Sequence, residues 1–141
     1  MKKKLLILSM ILCLLMTPIA AWASSAEYST GQVMPRYAYV DVINTLLGIS
    51  SGTATAVVTV YENTSDPFDY SKLTVYLKKT NGTRVKTWTA TKYPNSSGYF
   101  TWTDTYKLLA RGSYFIEAVN KLYVDGKLSE TIITYSVSQT Y

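Results

Sequence analysis

From Pro35 onward apolar residues fall at every second position, and no segment repeats them at the three-and-four spacing of an amphipathic helix. Successive side chains of an extended chain point to opposite faces, so this stretch can bury an apolar face only as strands packed into sheets. Thr53 to Tyr61 is the clearest case, with Ala54, Ala56, Val58 and Val60 on one face and Thr53, Thr55 and Thr59 on the other. Lys72 to Lys79 sets Leu73, Val75 and Leu77 against Lys72, Thr74, Tyr76 and Lys78, and Tyr99 to Tyr106 sets Phe100, Trp102 and Tyr106 against Thr101, Thr103 and Thr105. Arg36 to Ile43 carries Ala38, Val40 and Val42 on one face, then breaks and resumes at Leu46, Leu47 and Ile49 before Ser50-Ser51-Gly52. That interruption predicts a split first strand.

Two dipeptides set the expected registers. Asn81-Gly82 and Asp125-Gly126 both suit the positive φ angles of a type I′ hairpin turn. Counting outward from the first pairs Leu77 with Lys86, Val75 with Trp88 and Leu73 with Ala90, and on the other face Tyr76 with Thr87 and Thr74 with Thr89. Only the first set is apolar, so Trp88 should point inward. The second count pairs Ala118 with Ile133, Ile116 with Tyr135 and Tyr114 with Val137 as core, and Lys121 with Glu130, Val119 with Ile132 and Tyr123 with Leu128 on the opposite face.

The expectation is an all-β fold: an immunoglobulin-like antiparallel β-sandwich of about seven to eight strands. Leu109 to Tyr114 resembles the tyrosine corner that leads into a penultimate sandwich strand, where the phenol hydroxyl satisfies a backbone group at the turn.

Ahead of this pattern stand three basic residues at Lys2, Lys3 and Lys4, an apolar run from Leu5 to Met16, then Pro18 and Ala21-Trp22-Ala23. This is the layout of a secretory signal peptide, expected at residues 1–23 and cleaved before Ser24; a retained membrane anchor is the alternative. A polar arm, 24–34, and a sandwich domain, 35–141, would follow. Lipidation at Cys13 is not expected, because it lies in the middle of the apolar run. Without the leader the chain holds eleven Lys and Arg against nine Asp and Glu, and no cysteine. That balance gives no argument for nucleic acid, and no Lys/Arg run rises above a solvated face. Nor is a membrane partner expected once the leader is gone.

The whole chain has no histidine, and its one cysteine is in the leader, which excludes Ser-His-Asp and Cys-His catalysis and the usual zinc sites. Carboxylate pairs are what a glycosidase would need, and here the acids are scattered. Asp104 shares a strand face with Trp102 and Tyr106, a candidate sugar platform if Trp102 is not core. Glu62, Asp66 and Asp69, with Asn63 and Ser65 between them, form a candidate calcium loop or an ordinary turn. Asn63, Asn81 and Asn95 each begin an N-x-S/T triplet and read as turn chemistry.

The signal peptide, Pro35-Arg36-Tyr37, Ile49-Ser50-Ser51-Gly52, Tyr76-Leu77-Lys78-Lys79, Trp88, Gly112-Ser113-Tyr114 and Ser129-Glu130-Thr131 together resemble uncharacterised small secreted proteins of Gram-positive bacteria, a domain of unknown function. The resemblance covers most of the chain after the leader and implies compartment and fold; it brings no catalytic residues.

The functional expectation is a secreted, non-enzymatic domain needing no cofactor, extracellular or held non-covalently at the cell envelope. Its partner would be a protein, a glycan or a second copy of itself. The surface expected to make the contact is an apolar patch outside the core, formed by Tyr76, Phe115, Val119, Tyr123, Leu128 and Ile132. The first strand or the arm covering that patch is the other account.

Overall fold

The computed structural model describes residues 37–141, and the expected leader and arm lie outside them. The described chain forms eight strands: β1 (Val40–Ser50), β2 (Thr53–Glu62), β3 (Tyr70–Lys79), β4 (Arg84–Lys92), β5 (Tyr99–Lys107), β6 (Ser113–Val124), β7 (Lys127–Tyr135) and β8 (Gln139–Thr140). One antiparallel sheet has the order β1-β2-β5; the other runs β4-β3-β6-β7, with the short β8 paired to the start of β6. This is the expected immunoglobulin-like sandwich, with β4 joined to the sheet of β3, β6 and β7.

The core follows the alternation. Ala54, Ala56, Val58, Val60, Phe100 and Trp102 from the first sheet meet Leu73, Val75, Leu77, Trp88, Ile116 and Leu122 from the second, all buried. Trp88 and Trp102 meet edge to face with centroids 5.7 Å apart, closing the side where β4 and β5 are neighbouring edges. The tyrosine corner is present: the Tyr114 hydroxyl donates to the Ala110 carbonyl and the ring is buried.

The first strand is continuous rather than split. Val40 stands opposite Glu62 and Val42 opposite Tyr61, a register shift that reverses which residues face inward. Thus Val40 is buried but Val42 is 45% exposed, and beyond the shift Thr45 and Leu47 turn inward. Across the seam between the sheets, the Thr45 and Thr134 hydroxyls lie 2.6 Å apart, joining edge strand β1 to edge strand β7.

The two Asx-Gly hairpins behave differently. Between β3 and β4 all five predicted pairs are present, yet the turn is not type I′. Only Gly82 has positive φ, at +89°; its N–H donates to the Lys79 carbonyl, and the Lys79 N–H donates to the Thr83 carbonyl. This is the three-residue loop closed by a left-handed glycine. A compensating irregularity, Leu77 opposite Lys86 but Lys78 opposite Arg84, returns the strands to the expected register.

Between β6 and β7 the turn is as predicted, with Asp125 at φ +50° and Gly126 at +72°, but the register is not. Tyr123 pairs with Leu128, and the next pair is Leu122 with Glu130, so Ser129 is an extra residue in β7. Every later pair moves by one: Lys121 meets Thr131, Val119 meets Ile133 and Ala118 meets Thr134. A one-residue slip exchanges the faces of a strand. The predicted pairs of Ile132 with Val119, Ile133 with Ala118 and Glu130 with Lys121 are therefore corrected: Ile132 is buried, whereas Ile133 and Tyr135 are exposed.

Candidate functional site

The outer face of the β4-β3-β6-β7 sheet is organised in rows across the strands. At one end Tyr70 pairs with Tyr123, and Tyr123 with Leu128. The Tyr70 and Tyr123 rings stack with centroids 4.7 Å apart and an interplanar angle of 8°, and Tyr93, just past β4, leans on Tyr70 at 5.8 Å. The next row is Thr91, Lys72, Lys121 and Thr131, and the one after it Thr89, Thr74, Val119 and Ile133. Then come Thr87, Tyr76, Glu117 and Tyr135, and last Lys78 beside Phe115.

Of the six residues expected in an outer patch, Tyr76, Phe115, Val119 and Tyr123 lie half-buried on this face and Leu128 is exposed. Ile132 does not belong to it, at 1% exposure. The Ser129 bulge replaces it with Ile133 and adds Tyr135, 49% and 60% exposed, both missed by counting from the turn. Phe115 and Tyr135 rings lie 6.4 Å apart. The patch is not purely apolar: Lys78 and Glu117 form a 2.7 Å ion pair within it, and the Arg84 guanidinium sits 4.1 Å from the centre of the Tyr76 ring. The guanidinium covers one face of the phenol in a cation–π contact.

Trp102 is 7% exposed and packed on Trp88, so it forms no sugar platform in this structure. Asp104 stands on the inward-facing side of edge strand β5, opposite Ala56, exposed beyond the cover of the second sheet, and accepts from the Thr105 N–H. A charge there obstructs strand addition at that edge.

The candidate calcium loop does not assemble. Among the described residues no three acidic side chains converge as metal ligands, which corrects the grouping of Glu62, Asp66 and Asp69. Local turn chemistry explains the residues instead: the Asn63 side chain accepts from the Ser65 N–H at 2.9 Å, and the Asp66 N–H donates to the Asn63 carbonyl. Phe68, buried in the same loop, plugs the core edge-on to Phe100. Asn81 and Asn95 repeat the device, accepting from the N–H groups of Thr83 and Ser97. These are Asx turns, as the triplets suggested.

Fold and surface together define a β-sandwich domain of immunoglobulin-like type. No family model matches the chain, and no curated protein matches it significantly. Among solved structures, it is similar to one described as "putative beta-galactosidase from bacteroides fragilis", at 19% identity and a TM-score of 0.43 over 66% of this chain. The match spans 15% of that protein's length.

Proposed function

We propose that this chain is a non-enzymatic domain, exported by its leader, that binds a partner at the cell envelope or in the surrounding medium through the outer face of the β4-β3-β6-β7 sheet. The observation that carries this reading is the exposure of Ile133 and Tyr135 beside the half-buried rings of Tyr76 and Phe115 on one sheet face. Large rings restricted to two side-chain torsions give contact area at small entropic cost, which is why tyrosine is frequent in binding surfaces.

Two measurements test it. Fractionation of producing cells should find the protein outside the cytoplasm with Ser24 as its first residue; an intact cytoplasmic chain would rule out export. Purified envelopes of those cells should retain the wild-type protein in a sedimentation assay and lose Ile133→Ser plus Tyr135→Ser, with thermal unfolding showing that the variant is folded. Equal retention of the folded variant would place the contact elsewhere.

A further inference from the structure

The lysines of this outer face are dispersed in the sequence but meet in the fold. From Tyr70 to Thr103 the chain holds six Lys or Arg and no Asp or Glu. On β6, the Ser129 bulge sets Glu130 opposite Leu122, so Lys121 stands between Thr131 and Lys72. Both lysines are exposed, and the ion pair found among the described residues is elsewhere on the face, between Lys78 and Glu117. Like charges directly opposite on neighbouring strands repel. Among the described residues no carboxylate pairs with either lysine, and an anion would relieve the repulsion between them.

Three hydroxyls accompany the two ammonium groups. Thr74, Thr89 and Thr91 line a shallow groove over β3 and β4 together with Lys72 and Lys121. Each hydroxyl can both donate and accept, matching the polyol edge of a sugar. The adjoining row supplies rings: Tyr93 is 65% exposed, leaning on Tyr70, and the Lys72 Nζ lies 4.9 Å from the centre of the Tyr123 ring. Cation and ring side by side suit a ligand that carries its charge on the sugar itself. A glycerol-phosphate chain, which has no ring to stack, would use the lysines and leave the tyrosines idle.

We propose that this groove holds a polysaccharide bearing ring carboxylates, with Lys72 and Lys121 receiving the charge, Thr74, Thr89 and Thr91 the hydroxyls, and Tyr93 one sugar face. The assignment rests on the reading of this sheet face as the contact surface, and names its ligand class at the end away from Tyr135.

Calorimetric titration of the full-length protein with a galacturonate hexamer, a glucose hexamer and a glycerol-phosphate oligomer tests it. The galacturonate hexamer alone should bind, more weakly as salt rises. Lys72→Gln plus Lys121→Gln should weaken that binding roughly tenfold or more, the loss expected for two charge-assisted contacts, at an unchanged melting temperature. Tyr93→Ser should weaken it in the same direction. Ile133→Ser plus Tyr135→Ser should leave it intact, which separates this groove from the envelope contact. No binding of the galacturonate hexamer, equal binding of either other oligomer, or undiminished binding by the double lysine variant would overturn the proposal. Envelope retention that still depends on Ile133 and Tyr135 would then leave the broader reading standing.

Discussion

Two ladders of the sandwich, β2 with β5 in one sheet and β3 with β6 in the other, solve the same problem with different chemistry on their outer sides. Between β2 and β5 the facing pairs are Thr55 with Thr105, Val57 with Thr103 and Thr59 with Thr101, ending in the stacked rings of Tyr61 and Tyr99. The Thr59 and Thr101 hydroxyls meet at 3.1 Å, and the row carries a single charge, Lys107 opposite Thr53 at its far end. Between β3 and β6 the pairs are Tyr70 with Tyr123, Lys72 with Lys121, Thr74 with Val119, Tyr76 with Glu117 and Lys78 with Phe115. Short β-branched hydroxyl residues suffice to make a stable, hydrated sheet face. The first ladder shows that this chain can build one that way. The second ladder instead carries charge and rings through its middle, with Lys72 facing Lys121 and Tyr76 facing Glu117; these are surplus to the needs of the sheet, and that surplus is the argument for a contact surface.

Both faces depend on one core, so its loss gives the largest effect. Trp102→Ala should cost roughly 3–5 kcal/mol in urea unfolding, the usual result of emptying a buried aromatic site; a cost below about 1 kcal/mol would return Trp102 to the surface and revive the sugar platform. Ile132→Ala should cost roughly 2–5 kcal/mol, whereas Ile133→Ala should stay within about 0.5 kcal/mol. The reverse order would mean that β7 has no bulge and that the contact face has lost Ile133 and Tyr135. Tyr114→Phe should cost about 1 kcal/mol by deleting the bond to the Ala110 carbonyl, which anchors the entry of β6 and hence the parity of its outer residues. The smallest effect should come from Thr59→Val plus Thr101→Val, within about 0.5 kcal/mol in stability and with envelope retention unchanged. A lost retention there would shift the contact to the threonine ladder.

Much of this was legible in the residues because period-two alternation reports directly on burial. The inner sides of β2 and β3 follow it residue by residue and that of β5 as far as Trp102, and Leu109 to Tyr114 announced the corner through a local spacing. The outer patch was legible only in part. β7 carries apolar residues on both parities, Leu128 and Ile132 on one and Ile133 and Tyr135 on the other, so alternation could not choose its face. Asp125-Gly126 fixed the turn but could not reveal an added residue at Ser129. The acid-free stretch from Tyr70 to Thr103 was a readable signal for a basic surface, hidden because its cations are spaced rather than consecutive.

By itself the sequence determined the all-β class, the two Asx-Gly hairpin sites and the apolar faces of most strands, since each depends on residues close together in the chain. Tertiary structure decided where bulges fall, that Trp102 closes the core against Trp88, and that Lys72 and Lys121 stand opposite one another. These depend on strands distant in sequence being brought side by side, where a shift of one residue exchanges the inside of the protein for its surface.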